Sequence, residues 1–225
     1  MLNKRAVGLD LRADGWTVLE VERYTRAGKK GLEVLNFAQG KWEPDTTPET
    51  RGEMLKAAFG RQNIARQGLV VSLPAGLGQW ERPTLPELPP PLVKTALFTN
   101  LESRLSQPPE EMALAFKVQQ GEEEGKTEVE TFVYPQQVVA CYRQILKNAG
   151  LRKVSFLPHP YGIGNYLFSF SEYLRRGGQQ VFVIEISFLE TEVFLFGREG
   201  IIHYRSFPVR LRRMKPITWK RWLRS

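Results

Sequence analysis

The feature that most constrains this chain is a β-hairpin written into its first two dozen residues. Arg5 to Leu11 reads as a strand and Ala13-Asp14-Gly15 supplies the turn. Trp16 to Tyr24 returns with Trp16, Val18 and Val21 set against Thr17, Leu19, Glu20 and Glu22. A third strand is expected from Leu32 to Phe37. Thr47-Pro48-Glu49 then gives an N-cap, a proline at the first helical position and an early acid, the start of a helix running to Ile64. Gly68 to Leu73 reads as a strand stopped by Pro74, so the order through Pro74 is β-β-β-α-β.

From Trp80 to Gly150 a smaller α+β pattern follows, entered through Pro83, Pro86, Pro89, Pro90 and Pro91. Its elements are a helix Leu92 to Leu105, strands Met112 to Gln119 and Thr127 to Tyr134 around the charged turn Gly121 to Gly125, and a helix begun by Pro135 and closed by Gly150. That last helix carries an apolar stripe of Val138, Val139, Tyr142, Ile145, Leu146 and Ala149. This stretch is expected to be an inserted subdomain. After a strand Val154 to Leu157 and a helix Gly162 to Leu174, three strands stand in close order: Gln180 to Ile186, Thr191 to Phe196 and Ile201 to Phe207. Their plan, two hairpin-linked strands and a third, repeats that of Arg5 to Phe37, which marks an internal repeat.

With 42% apolar and 11% aromatic residues, 225 residues can build a core, which excludes global disorder. The single Cys141 cannot form an internal disulfide. Its place beside Val138, Tyr142 and Ile145 makes it read as a small core residue of a reducing, cytoplasmic compartment. Two basic residues before a few apolar ones and then Asp10 fall short of a signal-peptide core. The longest apolar runs, Val181 to Ile184 and Ile186 to Leu189, are broken by charge, whereas a spanning helix needs roughly 20 residues, so no span is expected. The net charge of +8 is not spread evenly: Met1 to Tyr204 holds 24 basic and 24 acidic residues, and Arg205 to Ser225 holds eight basic residues and no acid. A neutral body argues against a nucleic-acid face.

Several segments together carry a family likeness: Val7-Gly8-Leu9-Asp10-Leu11 with the strand to Glu20, Leu69-Val70-Val71-Ser72-Leu73-Pro74, Leu85-Pro86 before the inserted stretch, Glu128 to Pro135, and Tyr142 to Leu151. In order and spacing they resemble the PilM-like family of actin-like cytoplasmic proteins of type IV pilus assembly, and more distantly the cytoplasmic domain of the type II secretion protein GspL. The likeness extends to Val209. It implies an α/β (α+β) fold, an actin-like, RNase H-like mixed sheet with an inserted small α+β subdomain and an incomplete second half. The expected units are 1–80, the first actin-like subdomain; 81–152, the insertion; 153–178, a return helix; 179–209, part of the second actin-like subdomain; and 210–225, a basic amphipathic tail.

Members of the actin-like superfamily bind ATP between two hairpins whose small residues let backbone N–H groups approach phosphate. Here both hairpins depart from that pattern. The first reads Asp10-Leu11-Arg12-Ala13-Asp14-Gly15, with Arg12 where a glycine is expected and Asp14 where a hydroxyl is expected. Arg12 can pair with phosphate, but Asp14 opposes it, and an Asp ending a strand serves as a turn cap as readily as a metal ligand. The second reads Glu185-Ile186-Ser187-Phe188-Leu189-Glu190-Thr191, with bulk and acid in the turn. Hence Asp10, Arg12, Asp14, Glu185, Ser187 and Thr191 are read as degenerate phosphate-hairpin positions, and no cofactor, metal or catalysis is expected. A full-length relative also needs a second small subdomain and an adenosine site beyond Val209.

The remaining candidates are fewer. His159, between Pro158 and Pro160, reads as a turn residue, and neither it nor His203 has Cys or carboxylates at metal-ligand spacing. Gly162-Ile163-Gly164 lacks the third glycine of a dinucleotide fingerprint and reads as the entry of a helix packed close to the sheet. The family grips the cytoplasmic N-terminal peptide of a membrane partner, PilN, between its first subdomain and the insertion. By that resemblance Phe98, Leu101, Ala115 and Phe116 are expected contacts, and core residues of the insertion are the equal alternative. Trp219, Trp222 and Leu223 lie three and four apart, beside Lys220, Arg221 and Arg224. With Arg210, Arg212, Arg213 and Lys215 they form a basic amphipathic end suited to an anionic inner-membrane surface, at about 1 kcal/mol per basic residue, with a solvated basic end as the alternative. The expectation is a non-catalytic cytoplasmic scaffold of a pilus or competence machine, peripheral to the inner membrane, with oligomers possible. An ATP-binding protein that completes its cleft with a partner chain, or a GspL-like secretion component, is the alternative.

Overall fold

The computed structural model describes residues 5–26, 29–43, 45–121, 123–170, 180–186, 190–198 and 200–208. Its first sheet has the order β3-β2-β1-β4-β9. β1 (Arg5–Leu11), β2 (Gly15–Arg26) and β3 (Lys29–Lys41) form the antiparallel meander announced by the N-terminal hairpin, and β4 (Leu69–Leu73) and β9 (Val154–Pro158) add to it in parallel. Alternation sorts the faces. Val7, Leu9 and Leu11 with Leu69, Val71 and Leu73 all point to one side and are buried there. That side is covered by α1 (Pro48–Arg61) and α3 (Gln136–Asn148).

Local chemistry starts and stops these helices as the sequence suggests. Thr47 accepts at its hydroxyl from the Thr50 N–H at 3.3 Å, ahead of Pro48. α3 ends where Gly150 takes φ +75°, a left-handed position that glycine adopts without strain. Leu55, Ala58 and Phe59 of α1 face Val139, Tyr142, Ile145 and Leu146 of α3 within one core, and the Tyr142 hydroxyl donates to the Leu11 carbonyl at 3.1 Å. Cys141 corrects the sequence reading. It is exposed, because at one residue before Tyr142 it lies about 100° around the helix from the buried stripe.

Between β4 and α3 stands the inserted sheet. β8 (Lys126–Pro135) is its centre, paired on one side with β7 (Met112–Gln120) and on the other with β5 (Gln79–Glu81) and β6 (Thr84–Pro86). The two short strands flank Pro83 in the proline-rich entry, where no strand is expected from the pattern of residues. α2 (Pro90–Leu101) ends short of the expected Leu105 and gives way to a single tight turn. The helix packs on the sheet through Leu97 and Leu101, with Val93 against Leu85 and Val129.

β10 (Val181–Ile186), β11 (Glu190–Gly197) and β12 (Gly200–Pro208) form the third sheet, in the same antiparallel sequence as β1 to β3. The repeat seen in the sequence is thus a repeat of topology. Its inner face joins the main core: Phe132 of the insertion meets Tyr161 edge-on at 5.4 Å between ring centroids and Tyr204 at 5.9 Å, and Phe194 stacks on Tyr204 at 5.2 Å. α4 (His159–Phe170) follows β9 and bridges the first and third sheets.

Where α1 crosses α3, Gly52 lets the helices touch. A Cβ there would stand 2.8 Å from the Ile145 carbonyl oxygen and overlap Asn148. Gly52→Val is expected to lower stability by about 1–3 kcal/mol, read as a shift of the urea midpoint without a change in slope.

Candidate functional site

The parallel register of β1 and β4 sets Asp10 opposite Ser72, and Leu73 pairs with Pro158, so the residue after β9 emerges beside Ser72. That residue is His159, the first of α4. Its Nδ1 lies 3.0 Å from the Ser72 hydroxyl and its Nε2 lies 2.6 Å from Glu185 Oε2 on β10. Arg12, at the end of the first hairpin strand, donates through Nε to Asp10 at 2.7 Å and through Nη2 to the other oxygen of Glu185. The same Nη2 is 3.3 Å from His159 Nε2. Glu192, paired in register with Glu185, is buried and accepts from the Tyr204 hydroxyl at 3.0 Å. The end of β1 and the strand β10 are therefore clasped to each other by Arg12 and His159.

Donor atoms of His159, Glu185 and Glu192 converge within 4.8 Å, an arrangement that attracts positive charge. The guanidinium of Arg12 already stands beside two of them. Electrostatics follow from this geometry. Burial weakens the Glu185 carboxylate, but the hydrogen bond and charge of His159 and then Arg12 outweigh it and bring its pKa down to about 2. Burial likewise disfavours the imidazolium of His159, yet the hydrogen bond and charge of Glu185, with Asp10, raise its pKa above the usual value. Glu192 is pushed up by burial first and by Glu190 second. Arg12 is held charged throughout, its burial offset by Asp10 and Glu185.

The sequence reading of His159 as a turn residue is corrected. It is the hub of the site, missed because its carboxylate partner is 26 positions away in the chain and no local spacing announces it. Asp14 ties the first hairpin to β3, its backbone carbonyl accepting from the Trp42 N–H at 3.1 Å. Thr191 lies opposite Ile186 and Phe207 in the third sheet. A cavity of about 530 Å³ adjoins the clasp, bounded by Arg12, Asp14, Arg51, Gly76, Tyr142 and Glu190. Ser187 lies outside the described residues, as do the tail positions Arg210, Arg212, Arg213, Lys215, Trp219, Lys220, Arg221, Trp222 and Arg224.

The four expected peptide contacts separate. Leu101 is fully buried with Met112 and Val133, Phe98 packs on the same cluster, and Ala115 is half-buried. Phe116 alone of the four reaches a crevice, about 200 Å³ in volume, between the inserted sheet and α4. Lys117, Glu130, Tyr161, Phe168 and Ile201 also line it. Glu130, only 1% exposed, accepts from the Ile201 N–H at 2.8 Å.

A three-stranded antiparallel meander extended by two parallel strands, an α+β insertion and a second antiparallel meander closing on the first together make an actin-like fold. Among solved structures, a chain of the PilM–PilN type IV pilus biogenesis complex is similar at TM-score 0.77 and 17% identity, over 92% of this chain and 62% of that one. The cytoplasmic domain of EpsL, an inner membrane component of the type II secretion system of Vibrio cholerae, is similar at TM-score 0.51 and 13% identity, over 91% and 71%. The chain thus spans 62% of the length of the pilus protein, and at these identities the likeness is one of fold. No protein-family profile matches the sequence, and no curated protein does.

The clasp predicts a pH signature. The raised pKa of His159 gives stability that is complete below its ordinary value of 6.5 and lost as pH climbs through the folded value. The lowered pKa of Glu185 gives stability that is complete above 4.5 and lost on acidification toward about 2. Stability from this pair is therefore expected to be greatest between those limits. His159→Gln should flatten the alkaline limb of a urea-midpoint-against-pH profile and leave the two proteins closest at high pH.

Proposed function

We propose that this chain is a non-catalytic scaffold on the cytoplasmic face of the inner membrane, serving a type IV pilus, competence or related secretion machine and binding the N-terminal peptide of a PilN-like membrane protein. The observation that carries the reading is Arg12 lying between Asp10 and Glu185. Phosphate binding between two hairpins needs bare backbone donors and room; here the chain's own cation sits between them, and Asp14 and Glu190 add negative charge at the edge. What the fold then offers is surface. The crevice beside Phe116 has an aromatic wall and a polar end at Lys117 and Glu130, suited to one apolar side chain of an extended peptide. None of the described helices is long and apolar enough to cross a membrane, and attachment is assigned to the basic tail.

The rival, an ATP-binding protein that completes its cleft with a partner chain, is favoured by the cavity beside Arg12. Calorimetric titration with Mg-ATP separates the two: no heat is expected, and clear micromolar binding that vanishes in Asp10→Ala would sink the scaffold reading. A labelled peptide carrying the cytoplasmic N-terminal segment of a PilN-like protein from the same genome should bind. Phe116→Ala should weaken it about tenfold or more, whereas an unchanged affinity removes the crevice from the reading. In sedimentation with anionic vesicles, replacing Trp219 and Trp222 by Ala should abolish most of the bound fraction.

A further inference from the structure

We infer that the crevice and the clasp are one mechanical unit, so that a peptide held in the crevice keeps the two hairpins closed on each other. The inference rests on the crevice being the partner site proposed above, and two structural elements carry it. α4 is the first. His159, its opening residue, belongs to the clasp. Tyr161, two residues on, donates its hydroxyl to the Glu130 carbonyl at 3.0 Å, and Gly164 and Phe168 form the crevice wall. The second is the β11–β12 hairpin. At its turn, Ile201 donates its N–H to the Glu130 carboxylate, and its carbonyl accepts from Arg82 Nη1 at 3.1 Å. Further along, Tyr204 donates to Glu192, the register partner of Glu185.

These elements are packed directly on each other. A Cβ on Gly164 would stand 3.1 Å from the Phe196 ring of β11, so the helix is seated directly on the hairpin. Close-packed interiors transmit displacement rather than absorb it. Withdrawing His159 from Glu185 therefore moves the first turn of α4, and with it Tyr161 and the crevice wall. The crevice is formed while the clasp is closed. A ligand that fits this shape better than the shape left by a released clasp strengthens the clasp, and by linkage the clasp strengthens its binding.

The test measures both directions. Neither Arg12 nor Glu185 lines the crevice, yet Arg12→Gln and Glu185→Gln are each expected to weaken binding of the PilN-like N-terminal peptide about fivefold or more, read by fluorescence anisotropy. Conversely, the peptide should slow amide hydrogen exchange across residues 10–16 of the first hairpin. Equal affinity in wild type and both variants overturns the coupling and leaves the crevice as a partner site. Absence of binding by the wild type overturns the partner site instead. In that case the ligand-free protein decides the coupling: Tyr161→Phe should speed exchange across residues 10–16 severalfold, and an unchanged rate overturns the inference.

Discussion

A guanidinium held between two carboxylates sets the relation of the two halves of this molecule. Arg12 and Glu185 are 173 positions apart in the chain. They meet because each lies at the far end of the first strand of a three-stranded meander, Arg12 just after β1 and Glu185 one residue before the end of β10. With His159 on the same carboxylate, the contact fixes where β10 sits against β1, and through β11 and β12 it fixes where the inserted sheet can rest. Removing Arg12 would leave Glu185 beside Glu192 and Glu190, and Asp10 close by, with one imidazole as the remaining cation. The guanidinium of Arg12 offsets that concentration of negative charge.

Such a cluster acts more on geometry than on stability. Ion pairs that are partly desolvated return little net free energy, because the attraction is set against lost hydration. Burial itself comes from elsewhere: the leucine and valine face of the first sheet, the α1–α3 contact, and the aromatic group of Phe132, Tyr161, Phe194 and Tyr204. The polar clasp adds direction to those apolar layers, because its hydrogen bonds close only when β10 lies beside β1. Loss of the clasp would leave most of that apolar core in place.

Much of the fold was legible in the sequence, because its signals are local. The Ala13-Asp14-Gly15 turn, the Thr47-Pro48 helix start and Gly150 each act within a few residues, and the two meanders show their likeness in strand spacing alone. The site was legible only in part. Arg12 and Glu185 could be marked as departures from a phosphate-binding pattern, but not as partners, since nothing in either hairpin encodes the approach of the other. His159 carried no signal, because its role is set by the register of β9 against β4. Leu101 was ambiguous for the opposite reason: an apolar residue on a helix face looks the same whether it meets a partner or its own sheet. The strands around Pro83 were hidden by the prolines, which deny a donor but are tolerated in short edge pairings.

Cys141, misplaced from the sequence and found exposed on α3, makes the molecule unusually simple to address chemically. A maleimide dye or spin label would attach at one defined position on a helix bolted to the first sheet, with no residue needing to be engineered away. The label would sit apart from the clasp and the crevice, neither of which Cys141 lines. Paired with one further probe placed in the third sheet, it would report movement of that sheet as a change in distance.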